Sequence, residues 1–437
     1  MIIKKRLIIF EGLSCLKGED MPRVIFVTDL TLWSMGKNKG GPAFTKTVEA
    51  YSSAGYDIWL ISDIEENRNY EYVDRSHNIV IKPTIFKKWV LVKKIGRLFK
   101  IIDHLITTQR FQKKIISIIR DNSEKTLLYA YEIFGVKACS NIAKKVKGVK
   151  LITRFQGTII PDKKYNTWNR LRNYPHYQAL ETSADLVIMT NDGTQGDRVL
   201  KRVGNNSKTC FFMNGLDLMQ MDLISMRDSL NREQFLRSNL KIQAVDEPVF
   251  LTVSRLEKWK RVERTIDGFA DYYHNNKNGY LVVVGGGTEQ QNLMERARAL
   301  GIYDRVRFTG AVDHDDVYSY MIASDCFLSL YDLSNVGNPL LEAMTLGKCI
   351  ITYDVGDTGR FVQNGVNAIL LKKEELSSLG SYMETVAKDR ELRAHLGDAA
   401  AEYAQKHFWN WKDRMNCELQ TVNELLKTSF TDMGNDE

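Results

Sequence analysis

The sequence predicts an α/β protein of two doubly wound domains that face each other across a cleft. Three observations lead there. Short β-branched and apolar runs alternate with helix-like stretches at 23–28, 57–61, 78–82, 126–130, 150–155, 185–190 and 209–213. The pattern then starts again at 249–254, 280–284, 306–308, 326–330, 349–353 and 367–371. Between the two series, 218–247 is polar and has no clear strand, which is where a domain boundary is expected. The length, 437 residues, is more than one core ordinarily supports.

Composition is that of a globular protein, with 43% of residues hydrophobic, 26% charged and only 7 prolines. The 6 cysteines, at 15, 139, 210, 326, 349 and 417, lie far apart and form no C-x-x-C pair, which argues against a disulfide framework and a zinc site. No metal or other cofactor is expected, and the expected compartment is the reducing cytoplasm. No run approaches the roughly 20 apolar residues of a membrane helix, and residues 1–10 are basic and apolar but too short for a leader. A strand-like run, Arg23-Val-Ile-Phe-Val-Thr28, begins just after Met21, so 1–20 is read as an N-terminal extension. The layout is then two Rossmann-like domains over 21–217 and 248–405, a linker over 218–247, and a terminal helix over 406–430.

In such sheets ligands bind beyond the carboxyl ends of the strands, so the loops there carry the candidates. Asn38-Lys-Gly-Gly-Pro-Ala-Phe-Thr45 leads from the first strand into a helix. Gly40 and Gly41 permit close backbone approach, making either an anion pocket or an ordinary strand-to-helix turn. Phe250-Leu-Thr-Val-Ser-Arg-Leu-Glu-Lys-Trp-Lys-Arg261 sets Arg255 and Lys260 just past a strand, where two cations would neutralise a diphosphate. The plainer reading is a solvated basic loop. Leu281-Val-Val-Val-Gly-Gly-Gly-Thr-Glu289 runs into three glycines, Gly286 among them, but lacks the spacing and later acid of a dinucleotide site.

In Ser334-Asn-Val-Gly-Asn-Pro-Leu-Leu-Glu-Ala-Met-Thr-Leu-Gly-Lys348, Asn338 suits an N-cap, Pro339 the first helical position and Gly347 the stop. The predicted helix runs from 339 to about 346, with free N–H groups near Leu340 and Leu341 available to an anion. Glu342, one turn in, is placed to accept two hydrogen bonds from ribose hydroxyls, or simply to complement the helix dipole. A second glycine loop, Asp354-Val-Gly-Asp-Thr-Gly359, follows the next strand.

As a set, these motifs resemble those of the GT-B glycosyltransferases of family 4, a large group of retaining nucleotide-sugar transferases. The resemblance covers most of 22–425. It rests on the glycine turn at 40–41, Ser183-Ala-Asp-Leu-Val-Ile-Met-Thr190, Met213-Asn-Gly-Leu-Asp217, Val253-Ser-Arg-Leu-Glu-Lys-Trp-Lys260, Val284-Gly-Gly-Gly, Val306-Arg-Phe-Thr-Gly310 and Gly337-Asn-Pro-Leu-Leu-Glu-Ala-Met344. It implies a nucleotide-sugar donor whose diphosphate is bound by Arg255 and Lys260, whose ribose is held by Glu342 and whose base meets the backbone around Arg307 and Phe308. Gly286, Ser334, Asn335, Gly337, Asn338, Leu340 and Leu341 are expected to line that donor site. It also implies that the terminal helix crosses back to the first, acceptor-side domain, although a plain amphipathic helix would read similarly.

Two positions depart from the family. Ser334 stands where the family has a glutamate beside the transferred sugar, leaving Asp332 or Asn335 as the nearest substitutes. Gln156, in Leu151-Ile-Thr-Arg-Phe-Gln-Gly157, stands where the family has a cleft histidine; it can hydrogen-bond a sugar but cannot titrate. The expected function is retaining transfer of a sugar from a nucleotide diphosphate sugar to a glycan or lipid-linked acceptor in cell-surface polysaccharide or glycoconjugate synthesis. The departures keep a second reading open, a catalytically silent GT-B protein that binds sugar nucleotide or partners another transferase. A same-fold epimerase or phosphorylase is the remaining alternative.

The net charge of +7 is uneven. Between 85 and 120, ten basic residues (87, 88, 93, 94, 97, 100, 110, 113, 114, 120) face one acid, Asp103, a local +9 that leaves the rest of the chain at −2. On a helical wheel Val92, Ile95, Leu98, Phe99, Ile102, Leu105 and Ile106 share one side, with Lys93, Lys94, Arg97 and Lys100 opposite. Such a segment either packs on the first domain with its basic face in solvent or docks on anionic lipid at the inner face of the membrane. Its aromatics follow the apolar side and do not interleave with the cations, so nucleic acid is not an expected partner. Oligomeric state is left open.

Overall fold

The computed structural model describes residues 22–28, 42–62, 77–82, 84–86, 96–119, 126–160, 167–190, 193–333 and 336–431. Strands form at all thirteen predicted positions. They are β1 (Arg23–Val27), β2 (Asp57–Ser62), β3 (His77–Val80), β4 (Thr126–Tyr131), β5 (Lys150–Phe155), β6 (Leu186–Thr190) and β7 (Thr209–Phe212), then β8 (Val249–Val253), β9 (Tyr280–Val284), β10 (Val306–Gly310), β11 (Cys326–Ser329), β12 (Cys349–Tyr353) and β13 (Ile369–Leu371). The first sheet has the order β3-β2-β1-β4-β5-β6-β7 and the second β10-β9-β8-β11-β12-β13. Their strands pair in parallel. Every residue of β4, β6, β8 and β9 is buried, which is why these runs read as apolar without alternation.

The chain divides into two compact units. The described residues within Met1–Asn191, Gln195–Asn214 and Trp411–Glu437 form one, and those within Asp192–Thr194 and Gly215–Asn410 form the other. Both ends of the second unit are tied to each other, since the Leu216 N–H donates to the Trp409 carbonyl at 2.9 Å.

The 218–247 stretch, expected as a linker, folds into helices Leu223–Ser229 and Arg232–Leu240 and belongs to the second unit. A few apolar anchors, Leu236, Leu240 and Ile242, are buried beneath an otherwise polar surface, and Arg232 pairs with Asp325 at 2.9 Å. Anchors so sparse leave no periodic signal in the sequence.

The basic segment also differs from the helical wheel. Residues 87–95 lie outside the described residues. The helix Gly96–Ile119 buries Asp103, His104, Thr108, Phe111, Ile115, Ile118 and Ile119, while Leu105 is 49% exposed and Lys100 is partly buried. Burial lowers the Lys100 ammonium pKa. The buried face is therefore rotated from the wheel, because polar partners set it. Thr84 donates to Asp103, His104 Nε2 bonds Gln178 at 3.1 Å, and the His104 ring meets Phe134 and Tyr174 edge to face.

In the first unit a charge cluster joins the terminal helix Trp411–Thr431 to the sheet. Arg154 on β5 and Arg414 and Glu418 on the helix have no exposed side-chain surface. Glu418 Oε2 lies 2.8 Å from Arg414 Nη1 and 3.6 Å from Arg154 Nη1, while Oε1 accepts from the Tyr129 hydroxyl at 2.7 Å and from Tyr51 at 3.4 Å. Arg154 also donates to Thr47 and stacks over Tyr131 at 5.2 Å; Arg414 covers Phe212 at 4.4 Å. Burial alone would raise the Glu418 pKa, but the two guanidiniums and the Tyr129 hydrogen bond outweigh it and hold the carboxyl low. Removing one partner strands the other charges in the interior. Glu418→Ala is expected to destabilise the first unit by about 3–5 kcal/mol in urea unfolding followed by tyrosine fluorescence; a loss under about 1 kcal/mol contradicts this account.

Candidate functional site

A parallel sheet opens a crevice where its strand order reverses, because the two flanking strands send their connections in opposite directions. In the second sheet that point lies between β8 and β11. The loop 254–261 leaves β8 there, and residues 330–333 leave β11. They are joined where the Asp332 N–H donates to the Trp259 carbonyl at 3.3 Å. The cations picked from the sequence sit on the first loop. Lys260 Nζ lies 4.2 Å from the Trp259 ring centre and 4.1 Å from that of Tyr331, and Arg255 packs over Trp259 at 5.9 Å. Tyr331 is buried and donates its hydroxyl to the Val253 carbonyl at 2.7 Å, so the aromatic seat is itself anchored to β8.

The loop after β9 carries the glycines. A Cβ on Gly285, whose φ is 128°, would stand 1.8 Å from the Ser254 carbonyl oxygen, and one on Gly287 would stand 2.4 Å from that of Leu256. Without side chains, the two loops lock together through Leu256 N–H to the Gly286 carbonyl and Glu289 N–H to the Leu256 carbonyl, both 2.9 Å. The β10 end joins them, with the Gly285 N–H donating to the Gly310 carbonyl at 2.9 Å. Arg307 turns its guanidinium to the carbonyls of Leu240 and Asp304 at 2.8 and 2.7 Å, and Phe308 packs partly buried on the second core. Both side chains serve the fold of this edge strand.

The helix after β11 runs Asn338–Thr345 with Gly337 as its N-cap, one residue earlier than predicted. The expected free amides are corrected too, since the Leu340 and Leu341 N–H groups both donate to the Gly337 carbonyl, at 3.1 and 3.3 Å. Pro339 lacks an N–H, so the helix closes on the cap carbonyl and its next two amides are used. Ser334 and Asn335, like Gly40 and Gly41, lie outside the described residues. Asp332, a candidate substitute for the family's glutamate, spends its oxygens on Arg264 at 2.6 Å and Arg261 at 3.3 Å.

Glu342 is 2% exposed. Its Oε1 lies 3.0 Å from Nε2 of His314, the first residue of helix His314–Ala323, and the Tyr318 hydroxyl lies 3.3 Å from Nδ1 of the same ring. Burial pulls the His314 pKa down, but the hydrogen bond and charge of Glu342, with Asp217 and Asp315, bring it above its ordinary value. His314 is not among the residues the sequence singles out. The available signal was its position, four residues beyond the carboxyl end of β10.

In the first sheet the order reverses between β1 and β4. Glu132 follows β4 directly, with φ 64° and ψ −172°, a region nearly reserved for glycine. Its Oε1 accepts the Gln156 N–H at 2.8 Å, its own N–H donates to the Arg154 carbonyl at 2.9 Å, and Gln156 Nε2 donates to the Tyr131 hydroxyl at 2.5 Å. Nothing in the sequence marks Glu132, because backbone strain has no residue-type signature there. Among the described residues, no group of three or more His, Cys, Asp or Glu could hold a metal, and no helix is long and apolar enough to cross a membrane.

Residues 237–403, which contain this crevice, match the family model for glycosyl transferases group 1. The second unit is a group 1 glycosyltransferase domain. The chain is 25% identical over 230 residues to an uncharacterized glycosyltransferase of Methanocaldococcus jannaschii, covering 52% of this chain and 56% of that one. It is 24% identical over 288 residues to N-acetyl-alpha-D-glucosaminyl L-malate synthase of Bacillus anthracis, covering 64% and 70%. The match thus spans little more than half of the archaeal relative. HepE of Anabaena in complex with UDP has the same GT-B fold, with a TM-score of 0.63 at 18% identity over 92% of this chain and 100% of that one.

The group 1 domain supplies the cations and Glu342, whereas Glu132 and Gln156 belong to the other unit. Glu132→Ala and Glu132→Gly both lose the carboxylate, but only glycine relieves the backbone. The glycine variant is therefore expected to be the more stable by about 1 kcal/mol or more in thermal unfolding; equal melting of the two variants contradicts a strained Glu132.

Proposed function

We propose that the protein transfers a sugar, with retention, from a nucleotide diphosphate sugar to a glycan or lipid-linked acceptor in cell-surface polysaccharide or glycoconjugate synthesis. One observation carries the reading. Arg255 and Lys260 stand on the loop leaving β8 at the order reversal, and the helix bearing buried Glu342 follows the loop leaving β11. Two cations suit a diphosphate, and a carboxylate suits a pair of vicinal hydroxyls. The UDP held by HepE supports a nucleoside diphosphate as ligand.

With Ser334 in place of a glutamate and Gln156 in place of a histidine, the chemistry rests on positioning and charge. The departing phosphate takes the acceptor proton on the face where it leaves, and Arg255 and Lys260 stabilise the charge it gains. Glu132 and Gln156, at the other unit's reversal point, offer hydrogen bonds suited to an acceptor hydroxyl. Exposed Leu105 and Ile116 lie on the same helix as exposed Lys113 and Lys114, which supports seating on an anionic membrane surface near a lipid-linked acceptor.

The loss of two family side chains, and the engagement of Asp332 by arginines, also favours a second reading, a silent sugar-nucleotide binder. Thermal shift with UDP-, GDP- and ADP-sugars identifies the donor, since a ligand at 100 times its Kd stabilises by about 2.7 kcal/mol. Slow release of the nucleoside diphosphate without acceptor then separates an enzyme from a binder. Arg255→Ala and Lys260→Ala are each expected to lower kcat by on the order of 10²-fold or more. Unchanged turnover in both variants rejects the assignment.

A further inference from the structure

A carboxylate buried as deeply as Glu342 must have its hydrogen bonds supplied, and its orientation decides what it can accept next. His314 Nε2 meets Oε1 at 3.0 Å, and the other ring nitrogen is met by the Tyr318 hydroxyl at 3.3 Å. The ring stacks edge to face on Tyr318, with centres 5.2 Å apart, so its plane is fixed as well as its ends. A hydroxyl at Nδ1 suits both the neutral ring with its proton on Nε2 and the doubly protonated ring. In either form Nε2 donates to Glu342. Tyr318 and His314 lie one turn apart on helix His314–Ala323, while Glu342 lies on helix Asn338–Thr345, so the contact also fixes one helix against the other.

We propose that His314 is the positioning residue for ribose recognition: held by Tyr318, it fixes the Glu342 carboxylate in the orientation that accepts from the 2′ and 3′ hydroxyls of the donor nucleotide. The proposal rests on the ribose role given to Glu342 above and adds a selectivity, ribonucleotide over 2′-deoxyribonucleotide, that depends on a residue touching neither. A site built to bond a hydroxyl rejects the analogue lacking it, because its polar group is then left unpaired. That rejection fades if the carboxylate is free to turn toward other partners.

Calorimetric titration of UDP, GDP and ADP, each beside its 2′-deoxy counterpart, tests this on the full chain as wild type, His314→Ala, His314→Gln and Tyr318→Phe. The wild type is expected to bind the tightest of the three about tenfold or more better than its deoxy form. In His314→Ala the ratio should fall to about twofold or less, and in Tyr318→Phe to an intermediate value. His314→Gln, whose amide nitrogen reaches close to the place of Nε2, should restore most of it. A merely structural role weakens both ligands alike, so His314→Ala and Tyr318→Phe variants that keep the wild-type ratio overturn the proposal even if absolute affinity drops. A wild type that binds ribo and deoxy forms equally rejects the ribose role of Glu342 itself, and failure of all three nucleotides to bind rejects both.

Discussion

The second unit's crevice depends on a missing side chain. The loop that carries Arg255 and Lys260 crosses the loop after β9 so closely that a single Cβ on Gly285 or Gly287 would overlap a carbonyl oxygen. The hydrogen bonds that lock the two loops form only because that space is empty. Locking matters because long cationic side chains lose much rotamer freedom when they are ordered. Here the backbone is fixed first, and the Trp259 and Tyr331 faces then hold the Lys260 ammonium. The proposed diphosphate site is thus preorganised, which is what stabilisation of a leaving phosphate requires.

Charge is handled oppositely in the two units. In the second, Arg255 is exposed and Lys260 half-buried on the loop leaving β8. In the first, Arg154, Arg414 and Glu418 are buried completely, and their ion pairs hold the returning helix on the sheet. A buried charge cluster is a weak source of net stability but a strong constraint on arrangement, since each member is costly without the others. The cluster also fixes the end of β5, from which Gln156 extends toward Glu132.

Strands β4, β6, β8 and β9 were legible because a strand covered on both faces is apolar along its whole length, and that property is local; the partly exposed β3, β7 and β10 were legible from their β-branched and aromatic residues and their place in the alternation with helices. The places of Arg255 and Lys260 after a strand, and of Glu342 near a helix start, were legible for a similar reason, since strand ends and helix starts carry turn residues that can be read in place. What depends on distant partners was not legible. A helical wheel for 92–106 cannot show that Asp103 and His104 face inward, because Thr84 and Gln178 that receive them lie elsewhere in the chain. Glu418 reads as an ordinary helical glutamate until Tyr129, 289 positions away, is seen to bond it. The amides of Leu340 and Leu341 were misjudged by one residue of register, enough to change a free donor into a used one.

The claim on which the rest turns is that the loops leaving β8 and β11 hold a nucleoside diphosphate. Amide hydrogen exchange with and without a saturating nucleoside diphosphate reads this directly. The account predicts slowed exchange confined to the segments 254–261, 285–289 and 330–342, with the ends of β12 and β13 unchanged. Protection that spares 254–261, or that appears only in the first unit, contradicts it.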